Sequence, residues 1–224
     1  MDKSNWTISK QANEYVEDLF LPFDGDLDFA VTNSKKHNLP PIQVNAVMGR
    51  LLYLMTKMKT AKSILEIGTL GAYSTICLAK ALPEDGKLVT IEHNPDYAAC
   101  AQENIKHAKL TDKVTVKLGE ALEVLPTIDE KFDLFFIDAH KEEYIQYVEH
   151  AIRLSYPGSI IICDNVLRNG WVMKETHEKE YYAKLAQFNK WIALNPKLES
   201  TILPLVLPLK DRDYVDGMSI SVVR

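Results

Sequence analysis

Four short apolar runs in this chain each close on an acid: residues 63–66 end at Glu66, 88–92 at Glu92, 132–138 at Asp138 and 159–164 at Asp164. A carboxylate beside a buried strand is costly unless a ligand, a cation or a hydrogen-bond donor compensates it. Runs rich in Ile, Val, Leu and Phe, separated by amphipathic segments of helical length, read as parallel strands whose carboxyl ends share one edge of a sheet. Open α/β sheets bind ligands at that edge. A polar, partly cationic ligand above the sheet is therefore expected.

The first two acids point to a nucleoside. Glu66-Ile67-Gly68-Thr69-Leu70-Gly71-Ala72-Tyr73-Ser74 puts glycines in the first strand-to-helix turn, where backbone must approach a ligand closely. The three-glycine dinucleotide fingerprint is missing, and an acid just before the turn would repel a pyrophosphate. Glu92, ending the next strand, matches the acid that holds ribose hydroxyls in nucleoside-binding sheets. A nucleoside with a cationic tail fits, and S-adenosylmethionine, with its sulfonium and ammonium, has that description.

The second pair points to a metal. Asp138-Ala139-His140-Lys141 and Asp164-Asn165 bring two carboxylates and an amide oxygen to adjacent strand ends. These hard oxygen ligands suit Mg²⁺, with positions left for water or substrate. A lone histidine among oxygens argues against zinc, so His140 is expected beside the nucleoside. Lys141, next to a dication, would find its ammonium disfavoured, which makes it a candidate general base.

The elements that must carry these residues follow from the rest of the 224-residue chain. Helices are expected at 9–19, 26–38 and 43–58, forming an N-terminal cap, residues 1–60, on a sheet core, residues 61–224, the whole read as one domain. Strands at 63–67, 87–92, 114–118, 132–137 and 159–163 alternate with helices at 72–82, 95–109, 121–125, 142–154 and 176–195. The runs 201–207 and 218–223, joined directly by 210–217, are expected to pair as an antiparallel hairpin. The fold class is thus α/β, a Rossmann-like sheet, mostly parallel, with helices on both faces.

A formal net charge of -5 argues against a nucleic-acid partner, which would need clustered Lys and Arg. Cys77, Cys100 and Cys163 form neither a disulfide framework nor a zinc spacing, so a reducing compartment is expected. With no membrane-length apolar run and no basic and apolar leader at residues 1–10, the cytoplasm is the default location.

In these motifs the chain resembles the cation-dependent O-methyltransferases, the family of catechol and caffeoyl-CoA O-methyltransferases and many small bacterial enzymes. The resemblance covers nearly the whole chain. It rests on Ile64 through Ser74, Gly119-Glu120-Ala121, Phe136 through Lys141, Asp164 through Gly170 and Asp216-Gly217. It implies a seven-stranded methyltransferase sheet, commonly in a homodimer. It also implies that Val44, Glu66, Gly68, Thr69, Ser74, Glu92, Ala121 and Asp138 contact the methyl donor. Asp138, Asp164 and Asn165 would bind Mg²⁺ (Ca²⁺ or Mn²⁺ in its place), and Lys141 would be the base, with Asp138 beside it. The chain departs from the bacterial pattern at Ala72, where a second glycine is usual, and at His140, where an aspartate is usual.

The expected reaction is methyl transfer to one hydroxyl of a small catechol-like molecule. Residues 41 and 42, the 166–174 loop with Trp171, and Tyr214 are expected to wall the acceptor. Two other classes fit a similar sheet: a nicotinamide oxidoreductase, which needs the missing phosphate-cradling glycines, and a noncatalytic nucleoside-binding protein, which gives no use for the second acid pair.

Overall fold

A computed structural model describes residues 7–209 and 212–224. Its centre is one seven-stranded sheet in the order β3-β2-β1-β4-β5-β7-β6. The strands are β1 (Ser63–Ile67), β2 (Lys87–Glu92), β3 (Val114–Leu118), β4 (Phe132–Ile137), β5 (Ser155–Cys163), β6 (Leu198–Leu209) and β7 (Arg212–Val223). Strands β1 to β5 pair parallel, whereas β7 pairs antiparallel with both β5 and β6. The expected sheet, including its terminal hairpin, is present.

Period-two alternation divides the core between the two faces. Ile64, Leu88, Leu134, Phe136, Ile162 and Met218 face one layer of helices. That layer comprises α2 (Gly25–Lys36), α3 (Ala46–Lys59), α4 (Tyr73–Ala81) and α5 (Pro95–His107). Leu65, Ile67, Val89, Ile91, Phe135, Ile137 and Ile161 face the other, made of α6 (Ala121–Val124), α7 (Tyr144–Arg153) and α8 (Glu180–Leu194). Because both faces are covered, the parallel strands read as continuous apolar runs. Each fully buried Leu, Ile or Phe contributes about 1.5–3 kcal/mol from its removal from water. Helix α1 (Ile8–Phe20) lies against α3 and the β6–β7 hairpin.

Helix starts follow local chemistry. Asn94 accepts the backbone N–H groups of Asp96 and Tyr97 at the start of α5, with Pro95 in its first turn. Asp24 caps α2 and also accepts from Lys80 at 2.6 Å, tying that helix to α4.

Three boundaries differ from expectation. The Tyr156-Pro157-Gly158 segment is not a turn outside the sheet but an irregularity within β5: Ser155 pairs with Phe132, and pairing resumes between Ile160 and Leu134. Gly158 absorbs the bend at φ +83°. Strand β7 begins at Arg212, so Tyr214 lies in the strand, opposite Leu207, rather than in a long loop. The proposed connection starts at Lys210, outside the described residues, as does the segment 1–6. Helix α8 starts at Glu180, later than the pattern suggested, and on α3 the apolar Leu54 and Met58 are exposed while Met48, Leu52 and Met55 are buried.

Candidate active site

The carboxyl ends of β1, β2 and β4 meet at a single close contact. Gly68 adopts φ +94°, and a Cβ there would lie 2.2 Å from the backbone carbonyl oxygen of Asp138. Only glycine supplies both the left-handed backbone and the missing atom. The following turn is wound tightly: Leu70 and Ala72 also have positive φ, and the Ala72 N–H donates to the Thr69 carbonyl at 2.8 Å. Ala72 caps α4 from the left-handed region, so the methyl group that departs from the usual glycine is accommodated with local strain.

Glu92 braces this turn. Its Oε2 accepts the backbone N–H groups of Thr69 (3.2 Å) and Leu70 (2.8 Å), and its Oε1 accepts that of Asn94 (2.9 Å). Only 4% exposed, it still lines the cavity above the sheet. Glu66 is placed differently. It shares the face of Ile64, beneath the start of α4, where its Oε1 accepts from the Ser74 hydroxyl at 2.6 Å and its Oε2 from that of Thr75. Fully buried and not on the cavity wall, its carboxyl is pushed up to about 7, chiefly by burial and further by the charge of Asp138, against the opposing hydroxyl hydrogen bonds.

Asp138 joins this half to the next. Its backbone N–H donates to Ile67, and its Oδ1 lies 2.6 Å from the Lys141 ammonium. Lys141 also donates to the Tyr144 hydroxyl at 2.6 Å, and Tyr144 in turn donates to the backbone carbonyl of Asp164 at 2.9 Å. Burial holds the Tyr144 phenol well above its usual pKa, with Asp138 adding to the shift, so it remains a neutral donor. Asp164 is 7% exposed, and its Oδ1 accepts the Asn165 N–H at 2.8 Å. Burial, then the charge of Asp138, raises its pKa.

Among the described residues no group of three or more His, Cys, Asp and Glu side chains is arranged to hold a metal. A cation here would rest on Asp138, Asp164 and the Asn165 amide. That donor set is hard and fits a divalent ion, and a buried Asp164 carboxyl whose pKa is raised by burial and by the charge of Asp138 is in surroundings a dication relieves.

A cavity of about 650 Å³ lies over these strand ends. Of the residues expected at the donor, Val44, Gly68, Thr69, Ser74, Glu92, Ala121 and Asp138 line it, while Glu66 lies below. Asn165 and Lys141 line it too, and Asp164 lies behind Asn165. His140 is on the wall beside His93, ring centroids 5.4 Å apart, on the Glu92 side. On the far side the wall includes Ile42, Arg168, Tyr181, Leu207 and Tyr214. Trp171 is instead stacked on Tyr182 (5.6 Å, 9°), with the Lys174 ammonium over its ring, and it is not part of the wall. Arg168, Tyr181 and Leu207 were not singled out from sequence; Tyr181 and Leu207 reach the cavity from α8 and β6, distant in the chain, and only Arg168 carried a local cue, its place just after Asp164-Asn165.

Comparison with known proteins agrees with this geometry. A family model described as O-methyltransferase matches residues 27–211. The chain is 39% identical to a catechol O-methyltransferase of Niastella koreensis, covering 98% of this chain and 100% of that one. It is 36% identical to a catechol O-methyltransferase of Mycobacterium tuberculosis, covering 94% of each. Among solved structures, an O-methyltransferase from Bacillus cereus in complex with SAH superposes with a TM-score of 0.91 at 37% identity over the full length of both chains. With sheet order, glycine turn and sequence in agreement, the chain belongs to the O-methyltransferase family.

Proposed function

We propose that this protein transfers the methyl group of S-adenosylmethionine to one hydroxyl of a vicinal diol on an aromatic small molecule. The observation that carries this reading is the position of Asp138, whose backbone packs against Gly68 and whose carboxylate holds Lys141. It lines one cavity together with Gly68, Thr69 and Glu92 from the ends of β1 and β2 and with Asn165, Tyr181 and Tyr214 from the end of β5, from α8 and from β7. The SAH complex of the Bacillus cereus relative supports the choice of donor.

In this reading Glu92 accepts the ribose hydroxyls, the Gly68–Thr69 turn lets the donor approach the backbone, and Val44, Ser74 and Ala121 bound the cavity. Glu66 acts from below, as a buried carboxyl that accepts the Ser74 and Thr75 hydroxyls and so holds the Ser74 wall in place. A divalent cation, Mg²⁺ or else Ca²⁺ or Mn²⁺, would be held by Asp138, Asp164 and Asn165 and would supply Lewis acidity toward the diol oxygens. Beside such a cation the ammonium form of Lys141 would be disfavoured, and the neutral amine, positioned by Asp138 and Tyr144, would take the proton of the reacting hydroxyl. A phenol has an ordinary pKa of about 10, so that proton must be removed for attack at neutral pH. The hydroxyl oxygen then bonds to the methyl carbon as the carbon–sulfur bond breaks, leaving S-adenosylhomocysteine, a methyl ether and a proton on Lys141.

The test is a labelled-donor assay over a panel of vicinal diols, with Mg²⁺ and with chelator. Asp164→Ala is expected to abolish methylation and to leave donor affinity, measured by calorimetry, largely intact; full activity of that variant in metal-free buffer would sink the cation assignment. Lys141→Met is expected to lower turnover about 100-fold or more. Turnover equal to the wild type across pH would remove the base assignment.

A further inference from the structure

The acceptor side of the cavity contains one cation that no step above uses. Arg168 follows β5 in a turn where Arg168, Asn169 and Gly170 all have positive φ. That turn is pinned to β7: the Val166 N–H donates to the Gly217 carbonyl at 2.9 Å, and a Cβ on Gly217 would lie 2.7 Å from Leu167. Asp216 completes the fastening. Its Oδ1 accepts the backbone N–H groups of Leu167, Arg168 and Gly217 at 3.1, 3.0 and 2.8 Å. Such strain and fastening fix the turn that presents Arg168 to the cavity wall, which also includes Asn165, Tyr181 and Tyr214.

The guanidinium is only partly matched within the protein, its partners being the Tyr181 side chain, which it hydrogen-bonds, and the charge of Asp216. Its Nη1 lies 3.9 Å from Asp216 Oδ2, beyond hydrogen-bond reach, and Arg168 Nε and Asp216 Oδ2 are both buried without a hydrogen-bond partner. Its Cζ lies 5.7 Å from the Tyr181 ring centroid. The side chain is 30% exposed, and it faces the cavity. A guanidinium is charged at every working pH, and leaving part of it dry and unpaired is costly. Its planar fork is the shape that binds a carboxylate through two parallel hydrogen bonds.

We propose that Arg168 is a specificity-determining residue that selects acceptors carrying a carboxylate, so that the preferred substrates are dihydroxyaryl acids. The inference rests on the proposed function and names the substrate class of the same site. With the diol directed to Asn165 and Lys141, a carboxylate on the ring or on a short side chain reaches toward Arg168. The Tyr181 and Tyr214 rings and Leu207 enclose the aromatic body between them. A protonated amine in place of the carboxylate would meet the guanidinium as a like charge.

The experiment compares kcat/KM for a dihydroxycinnamic acid, its methyl ester, its CoA thioester and a catecholamine, in the wild type, Arg168→Gln and Arg168→Lys. We expect the wild type to prefer the free acid to the ester by about tenfold or more, the worth of a charge-assisted pair. Arg168→Gln should erase that ratio, and Arg168→Lys, which keeps the charge but not the fork, should retain part of it. The ratio is the readout because general damage to the turn would slow acid and ester together, and donor affinity by calorimetry shows that each variant is folded. An acid-to-ester ratio near one in the wild type, or one unchanged in Arg168→Gln, would overturn the assignment while leaving methyl transfer to diols standing. Preference for the CoA thioester, lost in Arg168→Gln, would instead assign the cation to a phosphate and overturn the carboxylate. No turnover of any diol would overturn both readings.

Discussion

Glu66 is a buried acid whose proton is held by its surroundings. An unfolded glutamate titrates near 4.5, and in the folded protein burial brings Glu66 to about 7. Between those values the folded state binds the extra proton, so the stability linked to this group is full below pH 4.5 and is lost as pH rises through 7. The loss is on the order of 3 kcal/mol. Glu66→Gln keeps the shape and removes the titration. Its melting temperature, measured without donor, is expected to match the wild type below pH 4.5, to exceed it increasingly as pH rises from 4.5 to 7, and to keep a constant lead above that. A difference independent of pH would show that Glu66 is ionised at neutrality. The same residue shows what could be read in advance. The run Ile64-Leu65-Glu66-Ile67 announced a buried strand, and an acid there announced a polar site. Period two already put Glu66 on the face of Ile64, under a helix, whereas attention to the strand end alone suggests the cavity wall.

The elements are held around the donor turn by few but well-buried polar ties. Asn104 on α5, fully buried, donates to the Gly71 carbonyl at 2.9 Å and to the Ala30 carbonyl of α2 at 3.4 Å, and accepts from Asn33 at 3.0 Å. One amide thus links α5, α2 and the glycine turn. Asn104→Ala leaves those groups unpaired and is expected to cost about 2–3 kcal/mol in urea unfolding, with weaker donor binding. Donor affinity equal to the wild type would show that the turn stands without this tie. Strands and most helices were legible because their apolar periods are local properties of the chain. The start of α8, the continuation of β5 through Tyr156-Pro157-Gly158, and the early start of β7 were not, since pairing with distant strands decided each of them.

Across the whole molecule, β3, β2 and β1 lie on one side of β4 and β5, β7 and β6 on the other, and the proposed function assigns the first side to the donor and the second to the acceptor. No helix among the described residues is long and apolar enough to cross a membrane. Large exposed apolar side chains gather in the N-terminal region, with Tyr15, Leu19 and Phe20 on α1, Phe23 after it, and Leu54 and Met58 on α3. The homodimer that the resemblance implies would find apolar side chains to bury here. Light scattering is expected to give about twice the 25.4 kDa of the chain; a monomer at micromolar concentration would reject the dimer. The acceptor recess was the least readable part at this scale, because Tyr181, Leu207 and Tyr214 come from α8, β6 and β7 and meet only when the sheet is assembled.

Leu207 and Tyr214 face each other across β6 and β7, the last two strands of the sheet. Under the proposed function, substitutions at these two positions would reshape the acceptor wall while the glycine turn and Glu92 stay untouched, which makes them the place to begin laboratory diversification of regioselectivity.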